Sequence, residues 1–262
     1  MDENVGVLVC SCDKNEDLWD MFFYYFRKNW ESCKYSLYLN TESCTYSNDR
    51  EKVHVFSYSE TRQRERWSLR LKKCLKKMPE ELILIILDDF FLTSKVDNVE
   101  FEKCVERMKN NKNIACFYFD PTPGENYSCE YERFERKGKK SPYRFNLQIG
   151  LWRKEYLLHY LRNHEDPWHF ESWGSIRSRR YPQLFYSLKI NAKKVFTYPA
   201  GGVICDNKWN LMMGEDSIDF VKREFDIDYD RRGYYRKGEF RNWNINNRTK
   251  IEKMLDVVKS LI

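Results

Sequence analysis

The sequence predicts an α/β protein, with a mostly parallel sheet covered by helices on both faces. Three observations carry that reading. Strand-like and helix-like segments alternate through the first 120 residues. Leu82 to Leu87 is an unbroken aliphatic run, the pattern of a strand buried on both faces in the middle of a parallel sheet. The segment after Asn15 places Leu18, Trp19, Phe22, Phe23 and Phe26 at helical spacing, which gives the sheet a helix to pack against.

The elements follow in order. Residues 5–10, VGVLVC, read as a buried strand. A helix is expected over Asn15 to Asn29, strands over Tyr35 to Leu39 and Val53 to Phe56, and a basic helix over Glu60 to Lys77 that ends before Pro79. The strand 82–87 comes next, then a helix from Val99 to Lys109 and a strand from Ile114 to Phe119. After Pro123 the pattern changes. Residues 126–150 read as a hairpin around Lys137-Gly138-Lys139-Lys140, followed by a strand. A helix over 153–163 is followed by one starting at Asp166-Pro167, with Asp as N-cap and Pro at the first helical position. Short strands near 194–198 and 202–205 and a closing helix near 248–261 complete the chain. No repeat, linker or low-complexity stretch interrupts it. The expectation is one domain over 1–262, with residues 1–120 as a nucleotide-binding half and 121–262 as an acceptor-binding half and tail.

Composition narrows the classes. With 42% hydrophobic and 16% aromatic residues, the chain is globular rather than disordered. Its 46 basic and 40 acidic residues leave a formal charge of +6, a mild bias toward anionic partners that does not by itself indicate nucleic acid. Nine scattered cysteines, with no CxxC pair and no N-terminal signal peptide, suit free thiols in a reducing cytoplasm. The longest aliphatic run is far short of the ~20 residues of a spanning helix, so a soluble or peripherally membrane-bound protein is expected.

The aliphatic run stops at Asp88-Asp89. In open α/β sheets ligands bind outside the carboxyl ends of the strands. Two adjacent carboxylates at such an end repel one another and are partly desolvated. A divalent cation would relieve both costs, and a loop cap beside a solvated neighbour is the alternative.

Several stretches together resemble a family of bacterial GT-A-fold glycosyltransferases associated with capsular polysaccharide and lipopolysaccharide O-antigen synthesis. They are VCSCDK, the aromatic helix ending in Trp30, YSLYLNTE, WSLRLKKCL leading into LILIILDDFFL, NLQIGLWRKEYL and EDPWHFESWGS. The likeness spans roughly residues 5–210. It implies a GT-A-like, Rossmann-like domain that takes a nucleotide-sugar donor, with a UDP-sugar preferred, and a glycan or lipid-linked glycan acceptor. It also implies Mn²⁺ or Mg²⁺, contact with the inner face of the membrane, and no nucleic acid. A strict DxD would need an Asp at Phe90, so either Asp89 is the metal ligand and Asp88 supports the nucleotide, or metal dependence is weak.

The resemblance also implies roles. Ser11, Cys12 and Asp13, after the first strand, would hold the nucleoside, although Ser11 and Asp13 are equally suited to a turn and a helix cap. Arg66 and Arg70, four apart on one helix face, would reach the phosphates with Asp88, or form a solvated cationic face. Arg70 is favoured, and Arg62 is expected on the exposed side. Glu171 is the expected general base of an inverting transfer, with Asp166 second because capping competes with catalysis. Trp168 and Trp173 could stack on a sugar or pack in the core. Arg177 heads a basic cluster that would bind a diphosphate or face solvent. A nucleic-acid binder using the tail YDRRGYYRKGEFRNW is one alternative. A nucleotidyltransferase is another, weakened because no glycine follows the first strand.

Overall fold

The computed structural model describes residues 4–48, 52–58, 65–238 and 250–261. Strand β1 (Val5–Cys10) leads through a 3₁₀ segment, Asp13–Leu18, into α1 (Trp19–Asn29). Strands β2 (Ser36–Asn40) and β3 (Val53–Phe56) follow, then α2 (Trp67–Lys77) and β4 (Leu82–Leu87). Next come α3 (Asn98–Asn110), β5 (Ile114–Tyr118), and the hairpin of β6 (Asn126–Ser128) and β7 (Phe134–Lys137). β8 (Gly150–Arg153), α4 (Lys154–Tyr160), α5 (Pro167–Ser178) and β9 (Leu184–Leu188) continue the chain. The last part holds β10 (Ile204–Cys205), β11 (Lys208–Leu211), the short α6 (Asp219–Lys222), β12 (Tyr234–Arg236) and α7 (Lys250–Leu261).

Nine strands form one sheet in the order β3-β2-β1-β4-β8-β5-β9-β7-β6, and β10-β11-β12 form a second, small sheet. In the large sheet only β8 and β7 run against the other strands. The predicted α/β architecture therefore holds. The unbroken run of β4 is explained by its two faces. Leu82, Leu84 and Ile86 enter the core under α1 and α3, while Ile83 and Ile85 enter the core under α2, α4 and α5.

Three predicted elements differ. The basic helix starts at Trp67, because Arg66 is extended (φ −64°, ψ 146°), and most of its predicted first two turns, with Arg62, lies outside the described residues. Residues 194–198 bury Val195, Phe196 and Tyr198 but form no strand. The hairpin turns between Ser128 and Phe134, and Gly138-Lys139-Lys140 follow β7 instead of forming its turn. Strands β9, β11 and β12 were not anticipated.

Candidate active site at the β1–β4 junction

The chain runs from β1 outward through β2 and β3, then returns by α2 to place β4 on the other side of β1. This is the topological switch point, where the loops after β1 and β4 diverge and leave a crevice. Cys10 pairs with Leu87, so Ser11 and Asp88 emerge side by side. The Ser11 hydroxyl donates to Asp88 Oδ2. Asn15 Nδ2 donates to Asp88 Oδ1 at 3.2 Å, and Trp19 Nε1 donates to Ser11 Oγ at 2.7 Å. One carboxylate is thus fixed by three side chains from the segment just after β1.

Its environment is dry. Asp88 is 3% exposed. Burial pushes its carboxyl up to about 6, against the hydrogen bonds from Ser11 and Asn15 and the charge of Arg232. Asp89 is pushed well above the usual carboxylate range, first by burial and then by the charge of Asp88. The Ile204 amide opposes that shift. Gly202 (φ +78°) lies so close that a Cβ there would meet Asp89 Oδ2 at 2.2 Å, and Val203 N donates to the Asp89 carbonyl at 2.8 Å. The loop before β10 therefore closes over the second carboxylate.

Arg70 approaches from α2. It is 3% exposed, with Nη1 3.5 Å from the Ser11 carbonyl and with Nε buried and unpartnered. Asn40 ends β2 opposite Cys10, is fully buried, and has no partner for either amide atom. An orphaned donor and acceptor beside a ligand crevice is a group held ready for a hydrogen-bonding ligand or water. The Cys12 thiol is pushed up to about 11 by burial and by Asp88, so it is a neutral group at the mouth of the site.

Glu171 is held on α5 by a loop amide. Its Oε1 accepts from Leu147 N at 2.7 Å. Burial raises the Glu171 carboxyl, with the Leu147 amide opposing. Asp166 caps α5, accepting from His169 N at 2.8 Å, and its other oxygen lies 2.8 Å from His169 Nδ1. Trp168 is exposed and Trp173 half-buried on the same helix.

Three expected site residues are held by other partners, and of these Asp13 also lines a cavity beside the loop after β1. Asp13 accepts from the amides of Glu42, Ser43 and Cys44 at 2.9–3.2 Å and from the Ser43 hydroxyl. Burial raises its carboxyl, but the bonds from Ser43, Cys44 and Glu42 outweigh this and carry it to about 2. It ties the loop after β1 to the loop after β2. Arg66 is exposed and donates to the His164 carbonyl at 2.6 Å, so it braces the α4–α5 loop and does not join Arg70. Arg177 is buried against both oxygens of the fully buried Glu165, and it also donates to the carbonyls of Tyr160 (2.7 Å) and Ser260 (2.6 Å). It is a structural ion pair under α7.

Sequence reasoning missed Asn15, Asn40, Gly202 and Arg232. Asn40 carried a usable signal, a polar residue ending an otherwise apolar strand, as Asp88 does. Arg232 carried none. It comes from the loop before β12, binds Asp17 (Nε–Oδ2, 2.8 Å) and the Lys14 carbonyl (2.8 Å), and sits near Asn15 in a cavity of about 620 Å³.

No protein-family model and no curated protein matches the chain. Among solved structures, it is similar to Staphylococcus aureus TarS residues 1–349 in complex with UDP, at 10% identity and TM-score 0.49, over 74% of this chain and 59% of that one. The chain thus spans about three fifths of that TarS fragment. It is also similar to a CMP:2-keto-3-deoxy-manno-octonic acid synthetase complexed with CTP (9% identity, TM-score 0.43, 71% of this chain and 89% of that). A third is the bifunctional IspDF of Campylobacter jejuni (13%, TM-score 0.41, 73% and 52%).

Proposed function

We propose that the chain is a glycosyltransferase that binds a nucleoside-diphosphate sugar, with UDP preferred, across the β1–β4 junction and passes the sugar to a hydroxyl of a bacterial surface glycan. The observation that carries this is the meeting of Ser11 with Asp88 at the switch point, with Asn40 and Arg70 left incompletely bonded beside it. In this reading Asn40 and the loop 11–12 address the nucleoside, Asp88 orients it, and Arg70 and Arg232 face the phosphates. Guanidinium groups match phosphate oxygens in geometry and charge.

The donor set also suits a divalent ion. Asp88 and Asp89 are both burdened by burial, and Asp89 also by its neighbour's charge, so a cation would lower the cost of both. Among the described residues no three His, Cys, Asp or Glu side chains cluster as a closed metal site. Asp89 would therefore hold Mn²⁺ or Mg²⁺ with diphosphate and water oxygens, and the bound ion would neutralise the leaving diphosphate.

Glu171 is the base in this reading. Its raised affinity for a proton suits removal of one from the acceptor hydroxyl as that oxygen attacks the anomeric carbon with inversion. Among the described residues no helix is long and apolar enough to cross a membrane. Contact with the inner face of the membrane, near a lipid-linked acceptor, would use α7, which exposes Met254, Leu255 and Val258. The nucleic-acid alternative loses support, because Arg236 of the basic tail is engaged with Glu215.

The test is a panel of melting curves with UDP, GDP and CMP, with and without Mn²⁺, followed by transfer assays. A nucleotide should raise the melting temperature of wild type, and more so with Mn²⁺. Glu171→Gln should lower transfer by about 10²–10⁴-fold with donor binding retained. Asp166→Asn should instead lower stability by ~1 kcal/mol or less, as a weakened cap does. If no nucleotide protects the protein, the reading fails. If Asp166→Asn abolishes transfer and Glu171→Gln does not, the base is Asp166.

A further inference from the structure

A second cavity, of about 600 Å³, opens beside the β6–β7 hairpin. It is far from the β1–β4 junction. From β4 the sheet runs through β8, β5 and β9 before reaching β7. Four strand spacings of ~4.8 Å put the two sites roughly 19 Å apart or more.

Five cations line this cavity: Arg136, Lys137, Lys139, Lys140 and Arg144, against the single carboxylate of Glu125. Surface lysines alone would be unremarkable, but two of these cations are not on the surface. Lys137 is 3% exposed and Arg144 is 2% exposed. Neither has a carboxylate within ion-pair distance among the described residues. Lys137 instead donates to the Thr122 hydroxyl, with the Pro123 carbonyl at 3.5 Å. Arg144 donates to the carbonyls of Ser178 (2.8 Å) and Gln183 (2.7 Å) and stacks on Phe185, 4.6 Å away. Its Nε–H is buried with no partner.

Burying two uncompensated cations side by side is costly, and proteins ordinarily pair such groups. Burial, with Arg144 adding, pushes the Lys137 ammonium down to about 8, while the charge of Glu135 opposes this. The nearest carboxylates have other partners: Glu135 accepts from Asn126 Nδ2 at 2.6 Å, and Glu125 is bonded by the Tyr127 hydroxyl. The loop after β7 adds exposed Lys139 and Lys140 at the mouth.

We propose that this cavity is a binding site for a phosphate monoester, with the dianion seated between Lys137 and Arg144 and the esterified group toward Lys139 and Lys140. The phosphate supplies the missing charge and accepts from the free Arg144 Nε–H. The cavity volume leaves room for a sugar-sized group attached to it. The same chemistry is offered by a free phosphorylated sugar and by a phosphomonoester lipid headgroup. The proposal stands independently of the transferase reading.

The experiment is calorimetric titration of the full chain with glucose 6-phosphate at matched ionic strength, beside sedimentation with phosphatidylcholine vesicles that do or do not carry phosphatidic acid. Glucose 6-phosphate should bind wild type. Its affinity should fall by about 10-fold or more in Lys139→Gln/Lys140→Gln and in Lys137→Met, the scale of a lost charge-assisted hydrogen bond. Lys137→Met removes a buried charge without shortening the side chain, so its fold is expected to survive. Binding to phosphatidic acid vesicles alone, lost in the same variants, assigns the site to a lipid headgroup. Asp88→Asn should leave either interaction unchanged, which separates this site from the donor site. Absence of binding in both arms, or equal binding by wild type and both lysine variants, overturns the proposal.

Discussion

Asp88 holds a negative charge where burial disfavours it, and this has a measurable consequence. A carboxyl whose folded-state pKa is raised binds its proton more tightly in the native than in the unfolded chain. The stability it contributes is present below the unfolded value of about 4 and is lost as pH rises through about 6. Asp88→Asn removes that loss. Its melting temperature should therefore exceed that of wild type at pH 7, by the equivalent of roughly 1–3 kcal/mol. The gap should close below about pH 4, while nucleotide binding is lost. Melts of both proteins across that range decide the matter, and parallel curves would show that Asp88 is not destabilised by its charge. The residue was legible in the sequence because an aliphatic strand stopped at it. Its partners were less so. Trp19 reads as one more core aromatic, and Asn15 as a helix start. Asp13 and Arg177 misled for the opposite reason. A charged residue in a suggestive string can be fully engaged by nearby amides or by a buried counter-ion, and sequence spacing does not reveal the partner.

At the scale of elements, the loop ahead of β10 depends on one glycine. Gly202 adopts φ +78° against Asp89, where a side chain is strained in its backbone and collides with the carboxylate. Gly202→Ala should displace the loop, lower stability by on the order of 1–3 kcal/mol and weaken donor binding together. Gly201→Ala, with nothing nearer than 3.6 Å, should show the backbone strain but keep Asp89 in place. Comparing donor affinity in the two variants isolates the collision. Under α7, the Arg177–Glu165 pair makes a different prediction. Arg177→Met leaves a buried carboxylate unpaired and should cost about 3–5 kcal/mol. The double change Arg177→Met/Glu165→Gln should restore part of that loss, and a thermodynamic cycle measures the coupling. A substrate-binding Arg177 would show no such rescue. The missed strand β9 has a buried Ser187 next to its last residue, so it lacks the unbroken aliphatic run that marks β4. Residues 194–198 look like a strand because aromatic and β-branched side chains favour any buried extended path. Phe196 packs against Trp30, Phe101 and Phe119, and the backbone bonds the 93–97 loop instead of the sheet.

At the scale of the molecule, alternation of strands and helices gave the architecture, because a strand covered on both faces needs a helix on each. What alternation does not reveal is the position of β8. It follows β5 in the chain, yet lies between β4 and β5 and pairs with both. The two halves of the sequence are therefore joined by a strand that belongs to the later one. This sets a timetable for synthesis. About 66 residues separate the end of β4 at Leu87 from the end of β8 at Arg153. At ~5–20 residues per second, a ribosome leaves one edge of LILIIL bare for roughly 3–13 s. An unpaired, uncharged aliphatic edge is a template for pairing with another chain. A chain cut at residue 120 keeps that edge indefinitely and should aggregate on expression. Supplying residues 121–262 on a second plasmid should recover soluble protein only if both pieces are made together. A soluble, nucleotide-binding fragment 1–120 would refute this. In the cell, the growing chain would depend on a holdase that covers β4 until its late neighbour arrives.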